Sequence, residues 1–272
     1  MISLGPIGLA GSNPFTDDAA VVADEARQAE DLGFATLWRS GNLPMLAAAV
    51  RATTSIPVAT GIIPVVRVPS AEVIATHAEL QREHPDRFLV GLGGAHGPQP
   101  VATLNAYLDE LDAAGIDAER RVLAALGPKM LTLARDRAGG AYPYLVTPSY
   151  VASARSALGP DRLLAVLLMV IPVTDRELAR TVAAGPLQFL AGQGGYRRNL
   201  LRQGFTETEI DTVGDRLLDG VTAWGAPELI SQRVAEYHSA GADQVVVRIA
   251  GIEDTAEDAA DQRARLARTL LN

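Results

Sequence analysis

Short apolar segments, many of them rich in β-branched residues, alternate with amphipathic segments along almost the whole chain. Eight apolar segments of this kind occur: Ile2–Leu9, Ala35–Arg39, Val58–Ile63, Phe88–Gly93, Val122–Leu126, Tyr142–Val146, Leu163–Ile171 and Gln244–Ile249. They are continuously apolar rather than alternating, as expected for strands that are covered on both faces. Eight strands, each followed by a helix, predict an α/β fold of the (β/α)8 TIM-barrel type. A doubly wound open sheet is the alternative, because periodicity alone does not exclude it.

The amphipathic segments carry helix signals. Apolar residues recur three and four positions apart, as in "DDAAVVADEARQAEDLGF". Asp17 and Ser70 are predicted N-caps, because their side chains accept hydrogen bonds from free backbone N–H groups. Gly33, Gly115 and Gly241 are predicted to follow the last helical turn, where glycine adopts a left-handed conformation.

One departure from the strand–helix alternation lies between Ile171 and Gln244. Two helical patterns are joined there by "AGQGGYRRNLLRQGFTETEIDTVGDRLLDGVTAWG". We interpret this stretch, at about residues 191–225, as a helical insertion after the seventh strand. The 272 residues then form a single barrel domain, residues 1–272, since barrels of this length are common.

The net charge of −8 argues against nucleic acid or an anionic membrane as the main partner. The chain has no cysteine, and no histidine pair has the spacing of metal ligands, so we predict no metal site. The first residues lack the features of a signal peptide, and the apolar run Leu163–Val173 is too short to span a bilayer. We therefore predict a soluble, cytoplasmic protein that acts on a small molecule.

The active site of a (β/α)8 barrel lies at the carboxyl ends of its strands. Of the four histidines, His96 falls at such an end, in the turn of "GLGGAHGP" after the fourth strand. An imidazole there can donate or accept a proton near neutral pH. The alternative is a histidine that only hydrogen-bonds within its loop. After the second strand, Arg39 and Asn42 of "RSGN" reach the same end and are candidates for contact with a substrate or a cofactor tail.

The single lysine of the chain, Lys129, follows Gly127 and Pro128 in "LGPKM" after the fifth strand. The first turn of the helix that begins there presents free N–H groups and the positive end of the helix dipole, which favour an anion. The alternative is a solvent-exposed lysine. The segment "GYRRNLLRQGF" of the insertion adds Tyr196 and Arg197, together with Arg198 and Arg202. This basic cluster could hold an acidic ligand tail, or be a solvated helix face or a subunit contact.

Several segments, taken in order, resemble one known family. They include "ARQAEDLGFATLWRSG", "ATGIIPVVRVPSAEVIATHAELQREHPDRFLVGLGGAHGP", "RVLAALGPKMLTLARDRAGGAYPYLVTP" and "AWGAPELISQRVAEYHSAGADQVVV". The chain is similar to the luciferase-like monooxygenase superfamily, and within it to the coenzyme F-420-dependent oxidoreductases of actinobacteria. The ordered set of segments, which covers most of the chain, carries this resemblance.

The resemblance implies a barrel that binds a deazaflavin or flavin at its mouth and forms a homodimer. It implies that the ring lies against an irregular, sometimes cis, peptide at Gly61, Ile62 and Ile63, with Gly93, Gly94 and His96 beside it. Gly127, Pro128 and Lys129 match the turn near the cofactor phosphate. His96 is then the predicted proton donor or acceptor.

The implied reaction is hydride transfer between coenzyme F-420 and a small organic substrate. Two alternatives stay open at this point. The first is an FMN-dependent monooxygenase of the same fold. The second is a non-catalytic protein that binds the (deaza)flavin, because Arg39, Ser40, Gly41 and Asn42 stand where many relatives have an Asp-His or similar polar pair.

Overall fold

The computed structural model describes residues 4–12, 16–95, 97–251 and 256–271. Ten strands run through it: β1 (Ile7–Ala10), β2 (Leu37–Arg39), β3 (Val58–Thr60), β4 (Ile63–Pro64), β5 (Phe88–Gly93), β6 (Arg121–Leu123), β7 (Gly140–Ala141), β8 (Leu163–Ile171), β9 (Thr222–Trp224) and β10 (Gln244–Ile249).

Twelve α-helices are described between and after them: α1 (Ala19–Asp31), α2 (Leu43–Ala52), α3 (Ser70–Glu83), α4 (Pro100–Ala113), α5 (Pro128–Arg137), α6 (Pro148–Leu158), α7 (Arg176–Ala191), α8 (Gly194–Arg202), α9 (Glu207–Thr212), α10 (Asp215–Val221), α11 (Pro227–Ser239) and α12 (Ala256–Leu270). A short 3₁₀ helix, Ala118–Arg120, leads into β6. None of the described helices combines the length and apolar character needed to cross a bilayer.

The strands pair in parallel and close into a ring. β1 pairs with β2 on one side and with β10 on the other, and β10 pairs in turn with β8. β3 and β4 occupy one position, because both lie against β5. β9 is a short addition that pairs with the last three residues of β8. The ring therefore has eight strand positions, which confirms the predicted (β/α)8 barrel and excludes the open sheet.

Several strand predictions differ from the structure: the predicted strand Val58–Ile63 is divided into β3 and β4, and the predicted strand Val122–Leu126 ends at Leu123 in β6. The predicted strand Tyr142–Val146 is wrong: the ladder is formed by β7, and beyond it a single bridge joins Tyr144 to Leu167. Pro143 has no N–H to donate, and Leu145 has a φ of 55°, so the ladder stops there. β9 was not predicted, because its three residues lie within a helical stretch. The region of about 191–225 contains the end of α7, then α8, α9, α10 and β9. Its reading as an insertion in a single domain stays a prediction.

The helix signals were mostly correct. Gly33, Gly115 and Gly241 each follow a helix with positive φ. The N-cap of α1 is Asp18 rather than Asp17, and its carboxylate accepts from Ala20 and Val21. Ser70 is the first residue of α3 instead of its cap.

The interior of the barrel is filled by side chains rather than by open space. Trp38 stacks on Tyr142 with ring centroids 4.1 Å apart. The indole N–H of Trp38 donates to the side-chain oxygen of Gln244 at 2.9 Å, and the amide of Gln244 donates to the carbonyl oxygen of Leu4 at 2.7 Å. These polar groups are buried but satisfied, so they fix the packing of the interior at little cost.

Glu30, on α1, holds the loop that follows α2. Its carboxylate accepts hydrogen bonds from the backbone N–H groups of Thr54, Ser55 and Ile56. Burial acts to raise the pKa of Glu30, but these hydrogen bonds outweigh it and lower the pKa to about 2. In the unfolded chain the pKa of this carboxyl group is near 4.5. The charged carboxylate therefore stabilises the fold fully above pH 4.5, and this stabilisation is lost as the pH falls toward 2.

We expect Glu30→Gln to lower the free energy of unfolding at pH 7 by about 1 kcal/mol, because solvent screening weakens these partly exposed bonds. Urea unfolding at several pH values should show the difference from the parent protein shrinking below pH 4.5. The matched control is Asp31→Asn at the next, exposed position of α1, for which we expect no change. A difference that stays constant from pH 7 to pH 3 would contradict this role of the charge.

Candidate functional site

The carboxyl ends of the strands meet at one mouth of the barrel, whose rim is built largely from backbone. Gly61 and Ile62 join β3 to β4, and the peptide bond between them is cis. This is the position at which the resemblance placed an irregular peptide. A side chain at Gly93 would come within 3.2 Å of Ile62, so the end of β5 lies directly beside this peptide.

The neighbouring rim positions are equally tight. A Cβ atom at Gly41 would lie 2.7 Å from the Cα atom of Ile63, and Gly94 has a φ of 73° and lies against Pro64. Gly61, Ile62 and Gly94 remain half-exposed. The rim residues named from the sequence are therefore brought together as one shallow, mostly apolar surface.

Below this rim lies a cavity of about 40 Å³. Its lining includes Trp38, Arg39, Ser40, Gly61, Tyr142, Leu167 and Arg248. A space of this size takes only a group as large as one to three water molecules. A tricyclic ring therefore cannot enter the barrel interior and can only lie on the rim above.

Arg39 and Asn42, predicted to contact a substrate or cofactor tail, have partners within the protein. The guanidinium group of Arg39 is buried and pairs with the carboxylate of Glu25. Asn42 caps α2 and donates from its amide to Asp17 at 3.0 Å. Arg39 nevertheless lines the mouth cavity. A role of either residue toward a ligand stays a prediction.

A second cavity, of about 380 Å³, lies between α5, α6 and α8. Its volume is in the range of small-molecule sites. Gly127 is the N-cap of α5 and has no side chain to cap the helix. Pro128 has no N–H, and the N–H groups of Met130 and Leu131 donate to the carbonyl oxygen of Gly127, so the N–H of Lys129 is the one that no described residue accepts. The guanidinium group of Arg202 lies 4.0 Å from the position of a Cβ atom on Gly127. Pro128 lines this cavity, whereas Lys129 is exposed in the same helical turn.

Asn199 lines the second cavity and was not identified from the sequence. Its residue surface is only 1% exposed. The side-chain oxygen accepts from Arg202 at 2.9 Å, but the side-chain Nδ2 has no hydrogen-bond partner. A buried amide nitrogen without an acceptor is costly, so Nδ2 of Asn199 is a candidate donor to a bound ligand.

Tyr196 and Arg197 lie at the start of α8. Burial raises the pKa of Tyr196 well above its usual value. Arg197 pairs with Glu207 and with Asp211 across to α9. These ion pairs hold α8 on α9, and contact of either residue with a ligand tail stays a prediction.

His96, the predicted proton donor or acceptor, lies outside the described residues. Within the described ranges, no three His, Asp or Glu side chains are grouped as metal ligands would be. The candidate residues that sequence reasoning missed are Arg248, which lines the mouth cavity, Tyr144, whose hydroxyl lies against Arg248, and Asn199 in the second cavity. The clearest signal in the sequence was Arg248, a charged residue inside the apolar run of β10.

The sequence matches no protein-family model and no curated protein. The fold, in contrast, matches solved structures over nearly their whole length. An F-420-dependent secondary alcohol dehydrogenase, solved with an F-420–acetone adduct, has a TM-score of 0.69 at 16% identity, over 98% of this chain and 99% of that chain. The coenzyme F-420-dependent tetrahydromethanopterin reductase of Methanopyrus kandleri has a TM-score of 0.70 at 16% identity, over 96% and 97%.

A monooxygenase is also similar. The oxygenating constituent of the 3,6-diketocamphane monooxygenase of Pseudomonas putida, solved with FMN, has a TM-score of 0.74 at 13% identity, over 98% of this chain and 97% of that chain. At these identities the likeness shows the fold: a barrel of the kind found in F-420-dependent oxidoreductases and in an FMN-containing monooxygenase. The resemblance noted in the sequence points to the same group of proteins.

Proposed function

We propose that the protein is an oxidoreductase that transfers a hydride between coenzyme F-420 and a small organic substrate. The fold is that of two F-420-dependent enzymes, and the sequence resembles the same group. The observation that carries the proposal is the second cavity, which Asn199, with its unpartnered Nδ2, and Arg202 line together with Pro128 and Leu131 from the first turn of α5.

The donors of this cavity fit the anionic tail of such a cofactor. The free backbone N–H of Lys129 at the helix start, an amide and a guanidinium group all donate to phosphate or carboxylate oxygens. Asn199 and Arg202 would hold the tail, while Gly127 lets the backbone approach it closely. The exposed Lys129 would add a screened charge from outside.

The ring of the cofactor would rest on the rim formed by Gly61, Ile62 and Gly94. When bound there, a deazaflavin supplies a two-electron donor or acceptor. The protein's own contribution is to orient the two partners and to exclude water. The stacked rings of Trp38 and Tyr142 close the barrel beneath the site. We assign proton transfer to His96, as the sequence suggested.

FMN is the alternative cofactor, and the monooxygenase solved with FMN supports it. The phosphate of FMN would accept hydrogen bonds from the same donors, so the second cavity does not distinguish FMN from F-420. The non-catalytic alternative is supported by Asn42, whose side chain is engaged in capping α2. We further propose, on the resemblance alone, a homodimer located in the cytoplasm, which light scattering and cell fractionation would test.

The binding test titrates the purified protein with F-420 and with FMN and follows the fluorescence of each cofactor. We expect F-420 to bind more tightly than FMN. Asn199→Leu and Arg202→Met should each weaken F-420 binding at least about tenfold, since each removes a hydrogen bond to a charged group. Arg198→Met is the matched control, because Arg198 is an exposed arginine of the same helix that does not line the cavity.

Saturable binding of FMN alone would overturn the choice of cofactor. Equal affinity of the parent, Asn199→Leu and Arg202→Met would remove the second cavity from the proposal. If F-420 binds but no alcohol, carbonyl compound or imine changes its absorbance, the non-catalytic alternative is favoured.

A further inference from the structure

Arg248 brings a charged group into the mouth of the barrel. It lies on β10, two residues after Val246 and four after Gln244, both of which point into the barrel interior. Side chains two apart on a strand share a face. Gln244, Val246 and Arg248 therefore share the inward face of β10, and Arg248 is the one nearest the carboxyl end of the strand. Its half-exposed side chain lines the mouth cavity.

The guanidinium group of Arg248 is electrostatically uncompensated within the described part of the chain. No carboxylate there forms an ion pair with it, whereas Arg39, which lines the same cavity, is paired with Glu25. A half-buried cation without a counter-charge is unfavourable, so an anion is expected to complete the site.

Tyr144 adds a second unsatisfied group beside Arg248. Its residue surface is 6% exposed, and its hydroxyl makes no well-formed hydrogen bond. Burial raises the pKa of this hydroxyl to about 12, against the opposing effect of the Arg248 charge. The group therefore stays protonated at neutral pH and can donate to an acceptor.

We propose that Arg248 and Tyr144 form a carboxylate-binding subsite, so that the substrate is a small organic acid. This inference rests on the proposed function, because it assigns the substrate class of the same mouth. A planar carboxylate accepts two parallel hydrogen bonds from a guanidinium group. The cavity of about 40 Å³ has room for a carboxylate but excludes a tricyclic ring.

The test uses a reporter that the chain already contains. Trp38 lines the cavity and is one of only two tryptophans, so Trp224→Phe leaves it as the sole indole. In this background, propionate should change the fluorescence of Trp38 saturably, whereas neutral propionamide and inorganic phosphate should not. This measurement needs no cofactor.

Arg248→Met should weaken propionate binding at least about tenfold, since a charged hydrogen bond is lost. Tyr144→Phe should weaken it several-fold with little change in the melting temperature, because that hydroxyl makes no well-formed hydrogen bond within the described part of the chain. Arg82→Met is the control, as Arg82 is an exposed arginine of α3. It should leave propionate binding unchanged.

Three outcomes would overturn the subsite: equal responses to propionate and propionamide, a response to phosphate instead, or an unchanged affinity in Arg248→Met. Loss of F-420 binding in Arg248→Met without any binding of propionate would mean that Arg248 serves the cofactor. Conversely, propionate binding that depends on Arg248 in a protein that fails to bind F-420 would support the subsite and refute the proposed function.

Discussion

Glu25→Gln is expected to lower the free energy of unfolding by about 3–5 kcal/mol, which is the largest stability effect we expect. The carboxylate of Glu25 is buried and pairs with both Arg39 and Arg263, which are buried as well. It also accepts from the backbone N–H of Ser12 at 2.8 Å. Glutamine keeps the size and one acceptor but removes the charge that compensates two buried guanidinium groups.

The measurement is urea unfolding followed by circular dichroism at pH 7. Asp24→Asn is the matched control, because Asp24 is the preceding residue of α1, is 74% exposed, and pairs on the surface with Arg27. An exposed pair of this kind contributes less than about 1 kcal/mol. If Glu25→Gln stayed as stable as this control, the buried ion pairs would not hold α1 and α12 to the barrel.

Most of the barrel could be predicted because each strand is identified locally. β8 is apolar on both faces and β10 is apolar at four of its six positions, and a strand covered on both sides needs no partner sequence to be recognised. The failures have local causes that the sequence contained. Pro143 interrupts the run that was read as a single strand, and β9 is only three residues long within helical surroundings.

The candidate site was predictable only in part. The rim glycines could be found because glycine at the end of a barrel strand indicates close backbone approach. The contact of Asn199 with Arg202, in contrast, becomes meaningful only when α8 packs over α5 and α6. The pairing of Glu25 with Arg263 joins residues 238 positions apart, which no local pattern reveals. Arg248 was overlooked although its place on the inward face of β10 follows from the alternation of a strand.

Gly91→Ala is expected to lower the free energy of unfolding by about 3 kcal/mol, since overpacking at rigid backbone forces strands apart. Gly91 lies on β5, where an added Cβ atom would stand 1.8 Å from the carbonyl oxygen of Thr60. The two residues are also joined by a hydrogen bond of 2.6 Å from the N–H of Gly91 to the hydroxyl oxygen of Thr60. Any shift there displaces the rim peptide, because Thr60 directly precedes Gly61.

The control is Gly195→Ala on α8, where an added Cβ atom meets no other atom within 4 Å. We expect it to be neutral or slightly stabilising, as alanine is the better helix residue. Urea unfolding gives the stability of both variants, and titration with F-420 shows whether a displaced rim weakens cofactor binding. A Gly91→Ala protein with unchanged stability would contradict the close approach of β3 and β5. A destabilised variant that bound F-420 normally would instead show that cofactor binding does not depend on the rim. That result would contradict the proposed position of the ring but not the barrel fold.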